Sequence, residues 1–232
     1  ESRWDMERDL ARHAEVIFAA SFGLIKRLSS CNDNVALLPN GVNPILFQQQ
    51  ERTVPPALAG LPGQRLFGRV GSVTSQVDLE PLLYLARHRP EWTFVLMGRV
   101  TRPAADQLRG QDNIVLLGTV NPLDLPDYLY RCDLLFDLPR LDRPGSDVVS
   151  GRIYEYLATG KPIVTVVDPS VPDAIPELVR TAYDGPGFLR QCKAALGEDT
   201  SLSRRRRTLA QESSWTGRAA QVSGILDATG LF

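Results

Sequence analysis

The stretch Ser-Gly-Arg-Ile-Tyr-Glu-Tyr-Leu-Ala-Thr-Gly-Lys-Pro-Ile-Val, residues 150–164, decides the fold. Its first half has the apolar spacing of a helix. Gly160 then favours a helix end, and Pro162 prevents the helix from continuing. An apolar run at 163–167 follows at once and predicts a strand. A helix that leads directly into a buried strand is typical of a layered α/β fold.

The same alternation extends along the chain in both directions. Most of the predicted strands are near-continuous apolar runs, as expected for strands buried on both faces of a parallel sheet. The β-α-β order predicts an α/β fold with a Rossmann-like, doubly wound parallel sheet. We predict strands at 16–20, 35–38, 66–70, 93–97, 114–117, 134–138 and 163–167, and helices at 22–29, 78–87, 103–108, 123–130, 151–158, 175–179, 187–196 and 202–226.

A proline- and glutamine-rich segment at 48–63 interrupts this pattern and predicts a linker. The short piece before it has too little sheet for an independent domain, since small units bury too little surface. We therefore predict that residues 1–50 are the end of an N-terminal domain with its hinge. Residues 51–232 are predicted to form a complete domain that ends in a terminal helix.

Composition excludes several classes of function. The net charge of −1, from 26 basic and 27 acidic residues, gives no electrostatic case for binding nucleic acid. No apolar run is long enough for a membrane span, and the charged start is not typical of a signal peptide. Three cysteines without a Cys-x-x-Cys pair predict reduced thiols in a cytoplasmic protein. The run at 204–207, four arginines, is interpreted either as a solvated helix face or as a contact with an anionic membrane.

The start of the helix at 151–158 has the features of an anion site. Exposed backbone N–H groups at Ser150 and Gly151 and the helix dipole favour negative charge there. Glu155 lies about one turn further, among apolar neighbours, so its carboxylate needs partners. Ribose or sugar hydroxyls would serve, and so would Arg152, three residues earlier on the same helix.

The stretch at 154–164 strongly resembles the donor-site helix of GT-B glycosyltransferases, in the group that includes glycosyltransferase family 4 and its group 1-like relatives. Further stretches resemble parts of that fold in the same order, so the resemblance spans nearly the whole chain. It implies a GT-B donor domain preceded by a remnant of the acceptor domain. The other matching stretches are 35–47, 67–79, 90–98, 114–120, 125–138 and Ser214 with Trp215.

The resemblance also implies roles for individual residues. Glu155 would bind ribose hydroxyls, and Ser150 and Gly151 would offer backbone N–H groups to the diphosphate. Glycine has no Cβ, which suits the Gly71 loop to close approach of a ligand. The remaining donor-site residues are Ser72 beside Gly71, Gly118, Thr119 and Val120 at the base, and Arg69, Arg99 and Arg152 for the phosphate charge.

Two departures concern catalysis. Relatives often carry a second glutamate eight residues before the equivalent of Glu155, where this chain has Asp147. We predict Glu155 and Asp147 as the catalytic acids. The chain also lacks the lysine that often follows the first loop, and no Asp-x-Asp or His/Cys cluster predicts a metal site. The polar loop at 141–146 is expected to be mobile over the site.

The implied function is transfer of a sugar from a nucleotide diphosphate sugar to a saccharide or lipid-linked acceptor, in polysaccharide or glycoconjugate biosynthesis. The nucleotide sugar is substrate and no cofactor is predicted; retention of anomeric configuration is expected. The missing N-terminal domain is a predicted partner, so this chain alone is expected to be inactive. Two alternatives stay open: a non-catalytic nucleotide- or glycan-binding module derived from a glycosyltransferase, and a UDP-sugar epimerase of similar architecture.

Overall fold

The structure, a computed structural model, describes residues 3–48, 52–142, 147–168 and 175–230. Its first part, residues 3–48, forms a small layer that we call the N-terminal unit. Two parallel strands pair there, one helix packs beside them, and an ion pair between Arg27 and Glu7 joins that helix to the first helix of the chain. Its elements are α1 (Arg3–His13), β1 (Ile17–Ala19), α2 (Phe22–Leu28) and β2 (Val35–Leu37).

A six-stranded sheet carries the rest of the described chain, and every neighbouring pair of its strands is parallel. The strand order is β5-β4-β3-β6-β7-β8, which is the Rossmann order when counting starts at β3. The doubly wound parallel sheet is therefore confirmed. The strands are β3 (Arg65–Val70), β4 (Trp92–Met97), β5 (Ile114–Gly118), β6 (Leu134–Phe136), β7 (Ile163–Thr165) and β8 (Arg180–Thr181).

Helices cover both faces of this sheet. Side chains of β4 alternate between the two resulting cores: Phe94 packs into one, and Val95 packs into the other. All residues of β4 are buried, which explains why the central strands have no polar alternation. The helices are α3 (Glu80–His88), α4 (Arg102–Leu108), α5 (Leu125–Arg131), α6 (Gly151–Thr159), α7 (Ile175–Leu178), α8 (Gly185–Ala195), α9 (Thr200–Glu212) and α10 (Trp215–Ala228).

The C-terminal region differs from the prediction of one helix at 202–226. It forms α9 and α10, which are separated at Ser213 and Ser214. The Ser214 hydroxyl accepts a hydrogen bond from the Gly217 N–H and so starts a new helix. The strand β8 was also missed, because two residues carry no periodic pattern.

The break between α9 and α10 joins the N-terminal unit to the rest of the chain. The Val42 N–H donates to the Ser213 carbonyl, and the Trp215 N–H donates to the Val42 carbonyl, both at 3.0 Å. Helix α10 then returns along the N-terminal unit, where the Gln221 amide donates to the Leu37 carbonyl. The last helix therefore contacts the first unit of the chain.

The arginine run on α9 does not form one basic face, because consecutive helical residues point about 100° apart. Arg205 pairs with Glu177, and Arg206 is buried and donates to Glu198 and the Leu178 carbonyl. Arg207 donates to the Thr159 carbonyl at the end of α6. This leaves Arg204 as the exposed member without a described partner. Within the described residues, no helix has the length and apolar character to span a membrane.

Candidate functional site

The crevice of interest lies where β3 and β6 are neighbours. The chain leaves β3 toward β4 on one side and leaves β6 toward β7 on the other, so the strand order reverses here. Open α/β sheets bind ligands at this switch point, outside the carboxyl ends of the strands. Gly71 and Ser72 follow β3, Asp137 follows β6, and α6 begins beside them at Gly151.

The ends of β3 and β6 are joined by the phenol of Tyr156 from α6. Its oxygen accepts a hydrogen bond from the Val70 N–H at 2.8 Å and donates to the Phe136 carbonyl at 3.3 Å. Burial raises the pKa of Tyr156 above its usual value, which keeps the phenol protonated as a donor. Tyr156 therefore fixes the floor of the crevice to α6.

A buried carboxylate lies between two arginines above this floor. Asp137 is 1% exposed, and it accepts hydrogen bonds from Arg69 Nε at 2.9 Å and from Arg152 Nη1 at 3.0 Å. Arg69 is also 1% exposed and donates through Nη1 to the Gly71 carbonyl. The cluster of two guanidinium groups and one carboxylate carries a net positive charge.

Gly71 lets Arg152 lie against the loop after β3. Its φ is +99°, and a Cβ built there would lie 2.8 Å from Arg152 Nη2 and 3.1 Å from Arg152 Nε. Gly98, at the end of β4, has φ +149°, and a Cβ there would lie 2.5 Å from the Gly71 carbonyl oxygen. These two glycines allow backbone to pack on backbone around the crevice.

The first turn of α6 opens into the same place. Ser150 is the N-cap residue, and its hydroxyl makes no capping hydrogen bond. The side chain of Arg152, on the second residue of the helix, reaches Asp137 and the Gly71 loop. The structure thus brings Ser150, Gly151, Arg152, Gly71 and Arg69 together. The positive end of the α6 dipole lies beside the positively charged arginine cluster, and both favour an anion there.

Glu155 lies one turn further along α6 and is partly buried. Burial raises the pKa of Glu155, and the nearby positive charge of Arg152 opposes that shift. Among the described residues, none makes a hydrogen bond or an ion pair with the Glu155 carboxylate. A half-buried acid of this kind keeps its capacity to accept hydrogen bonds from a ligand.

Asp147 lies elsewhere. The Ser21 hydroxyl, at the N-terminus of α2, donates to the Asp147 carboxylate. Gly23 makes room for this contact, since a Cβ there would overlap Asp147 Oδ2. Asp147 also lines a cavity of about 400 Å³ between the N-terminal unit and α6, together with Glu212 and Arg218. Its side chain contacts the N-terminal unit, and no described contact joins it to the arginine cluster.

The remaining predicted residues lie around the rim. Ser72, Arg99 and Thr119 are exposed, and Val120 packs partly against a core. The Gly98 N–H donates to the Gly118 carbonyl at 2.7 Å, which places the end of β5 beside the end of β4. Residues 143–146 of the predicted polar loop and 49–51 of the predicted linker lie outside the described residues.

Asp137 and Tyr156 were not predicted as site residues. A signal for Asp137 exists, because an acid that directly follows the apolar run of β6 lies at the binding edge of a parallel sheet. Tyr156 gives no such signal, because an aromatic residue within a helix is usually part of a core. Among the described residues, no group of three or more His, Cys, Asp or Glu side chains is placed to hold a metal ion.

Comparison with known families identifies the chain. A family profile described as "Glycosyl transferases group 1" matches residues 76–198, more than half of the chain. The chain belongs to the group 1 glycosyltransferases. The matched region includes Asp137, Arg152 and Glu155, and it ends before α9.

A curated relative of this group 1 chain is the putative teichuronic acid biosynthesis glycosyltransferase TuaH of Bacillus subtilis (strain 168). The two are 25% identical over 210 residues, which is 85% of this chain and 52% of the relative. The chain thus spans about half the length of that relative.

Solved structures share the fold of this group 1 chain. Anabaena Alr3699/HepE in complex with UDP-glucose has a TM-score of 0.75 and 17% identity, over 97% of this chain and 67% of that one. The α,α-trehalose 6-phosphate synthase of Burkholderia multivorans has a TM-score of 0.75 and 14% identity, over 98% and 62%. These likenesses show the GT-B fold of the domain.

Proposed function

We propose that the chain is the donor-binding part of a glycosyltransferase that moves a sugar from a nucleotide diphosphate sugar to a saccharide or lipid-linked acceptor. The observation that carries the proposal is Arg152, which is held by Asp137 over Gly71 at the first turn of α6. A helix N-terminus and a guanidinium at a switch point form a site for a diphosphate. The UDP-glucose complex of HepE supports this substrate class.

The geometry distributes the predicted roles along the crevice. Arg152, the N–H groups of the first turn of α6 and the Gly71–Ser72 loop would hold the diphosphate. Glu155 would accept hydrogen bonds from the ribose, and the segment 118–120 at the end of β5 would border the base. Arg69 is enclosed, so we assign it to holding Asp137 and the Gly71 carbonyl instead of contacting phosphate.

These groups suit departure of a nucleoside diphosphate. When the bond between the sugar and the diphosphate breaks, negative charge grows on the leaving phosphate oxygens. A fixed guanidinium and a helix dipole stabilise that charge without rearranging, which lowers the barrier. The acceptor hydroxyl oxygen forms a bond to the anomeric carbon as the bond from that carbon to the diphosphate breaks, and the hydroxyl proton passes to an oxygen of the leaving diphosphate. Retention of anomeric configuration, cytoplasmic location and the absence of a cofactor stay predictions.

The second candidate is a nucleotide-binding module that transfers nothing. It is favoured by Asp147, whose carboxylate accepts a hydrogen bond from Ser21 and has no described contact with the arginine cluster. In that case the chain would bind the donor as proposed, and a longer protein that contains it would lack transfer activity. Assay of that longer protein with the nucleotide sugar that binds best separates the two candidates.

Calorimetric titration of this chain with UDP, GDP, ADP and UDP-glucose tests donor binding. We expect selective binding of one nucleotide, weakened about 10- to 100-fold by Glu155→Ala, as for loss of a charged hydrogen bond. Glu177→Ala is the matched control, because Glu177 is an exposed acid that pairs with Arg205. Absence of binding at millimolar concentration, or equal losses in both variants, would overturn the proposed site.

A further inference from the structure

We propose that Asp137 is a positioning residue for the diphosphate: it anchors one nitrogen of Arg152 so that the other two stay aimed into the crevice. The inference rests on the proposed function and adds a residue for which the donor-site resemblance predicted no role. An acid beside a phosphate site would ordinarily weaken binding through repulsion. The contacts of Asp137 give a specific reason to expect the opposite.

The anchoring uses one end of the Arg152 guanidinium. Nη1 donates to both carboxylate oxygens of Asp137, each at 3.0 Å. Nη2 and Nε lie over Gly71, at 2.8 and 3.1 Å from the position of a Cβ there, and no described residue accepts from them. The side chain of Arg152 is 27% exposed, so a ligand in the crevice can reach this guanidinium. A guanidinium held in this way presents a fork suited to phosphate oxygens.

Arg69 removes the electrostatic disadvantage of the acid. Its Nε donates to Asp137 from the buried side, and its Nη1 donates to the Gly71 carbonyl. The positive charge of Arg69 therefore compensates the negative charge of Asp137, and the positive charge of Arg152 is available to attract the phosphates of the ligand. The same arginine ties the Gly71 loop to the acid, so loop and guanidinium share one support.

The positioning role predicts an effect opposite in sign to that of a bystander charge. Asp137→Asn removes one negative charge beside the phosphates. If Asp137 does not position Arg152, this change only reduces repulsion, and UDP should bind more tightly. If Asp137 positions Arg152, the asparagine variant binds UDP more weakly, because the neutral amide loses the ion pair and its NH2 group cannot accept from Arg152 Nη1 as Oδ2 does. Uridine, which has no phosphate, should bind both proteins equally.

The experiment is a calorimetric double-mutant cycle on this chain with Asp137→Asn, Arg152→Ala and both together, titrated with UDP and with uridine. We expect Asp137→Asn alone to weaken UDP about tenfold or more, and to have little effect when Arg152 is already absent. Asp133→Asn is the control, since Asp133 pairs with Arg65 at the opposite end of β6. Unchanged or tighter UDP binding by Asp137→Asn, or additive losses, would overturn the proposal.

Two further measurements cover the case in which Asp137→Asn does not fold, since it leaves Arg69 buried without its acid. The double variant Arg69→Met with Asp137→Asn removes that buried charge. It should bind UDP as weakly as expected for Asp137→Asn, and its affinity for uridine should be unchanged. Independently, the side-chain NMR signal of Arg152 in the unmodified chain, assigned by its absence in Arg152→Lys, should show a rigid guanidinium without ligand. A freely moving guanidinium contradicts the proposal.

These outcomes are distinguishable from failure of the proposed function. If the unmodified chain binds no nucleotide, the donor-site proposal fails. If it binds UDP and Asp137→Asn binds UDP equally well, the donor site stands and the positioning role is wrong.

Discussion

The N-terminal unit and the six-stranded sheet differ in how completely their side chains are buried. In the six-stranded sheet, β4 is buried at every position and the helices on both sides contribute fully buried side chains. In the N-terminal unit, Ala19 is the buried residue of the two strands, and Met6 and Leu10 on α1 are exposed. The larger sheet is stabilised by its own two cores. The smaller unit is joined to it by Val42 and Phe47, which pack into the second of those cores, and by hydrogen bonds to the junction of α9 and α10.

This difference extends to the site. Every group in the arginine cluster comes from the six-stranded sheet or from α6, where packing holds side chains in one arrangement. The N-terminal unit contacts the larger part of the chain through Ser21, whose hydroxyl donates to the Asp147 carboxylate away from that cluster. We infer that donor binding belongs to the larger sheet and α6.

The largest expected effect contrasts a buried leucine with an exposed one. Leu157→Ala should lower the free energy of unfolding by about 4 kcal/mol, because Leu157 is 0% exposed and its removal leaves a cavity. Leu10→Ala is the control and should change it by less than ~0.5 kcal/mol, since Leu10 is 74% exposed. Urea unfolding measures both. Similar losses would mean that side chains of the N-terminal unit contribute as much to the free energy of unfolding as those packed on the larger sheet.

The next effect concerns α9, which packs on α6. Arg206→Gln should cost roughly 3 kcal/mol of unfolding free energy, because Glu198 loses its buried partner and retains Arg180 at 3.6 Å. Arg204→Gln, two positions earlier and exposed, should be nearly neutral. Thermal melts of the two variants test whether the buried Arg206 stabilises the helix more than the exposed Arg204 does. A neutral Arg206→Gln would contradict that interpretation.

The contact between the two regions should have a smaller effect. Ser21→Ala and Asp147→Ala each remove the hydrogen bond from the Ser21 hydroxyl to the Asp147 carboxylate, which should cost about 1.5 kcal/mol. Ser21→Ala also removes the N-cap of α2, worth about 1 kcal/mol, so the double variant should cost little more than Ser21→Ala alone. Ser30→Ala, on an exposed serine after α2, serves as the control. Additive losses in urea unfolding would show that the two residues act independently.

The smallest effect is the pH dependence caused by Glu155. Burial raises its pKa in the folded chain above the unfolded value, so its contribution to stability is present at low pH and is lost as pH rises through the folded pKa. Without ligand, Glu155→Gln should therefore be slightly more stable than the unmodified chain at pH 7. Near pH 4 the difference should vanish. Melting temperatures across this range test the sign, and a less stable variant at pH 7 would contradict it.

Much of the fold could be predicted from local sequence. The buried strands of the larger sheet appear as apolar runs because both of their faces are covered, whatever the strand order. The end of α6 was predicted from Gly160 and Pro162, and Gly160 has the left-handed backbone that such an end requires. Helical periodicity did not reveal the break at Ser213 and Ser214, because pairing with Val42, far away in the sequence, holds it in place. The resemblance of Ser214 and Trp215 to the start of a final helix did indicate it, and α10 begins there.

The sequence by itself determined the layered α/β class, the positions of the strands and the start of the helix that carries Arg152 and Glu155. These features follow from short-range spacing, which a chain shows wherever it folds. Only the tertiary structure placed Asp137 between Arg69, 68 residues earlier, and Arg152, 15 residues later. It alone joined Asp147 to Ser21, 126 residues away. The reason is physical: strand order and helix packing bring distant residues together, and no local pattern records which ones will meet.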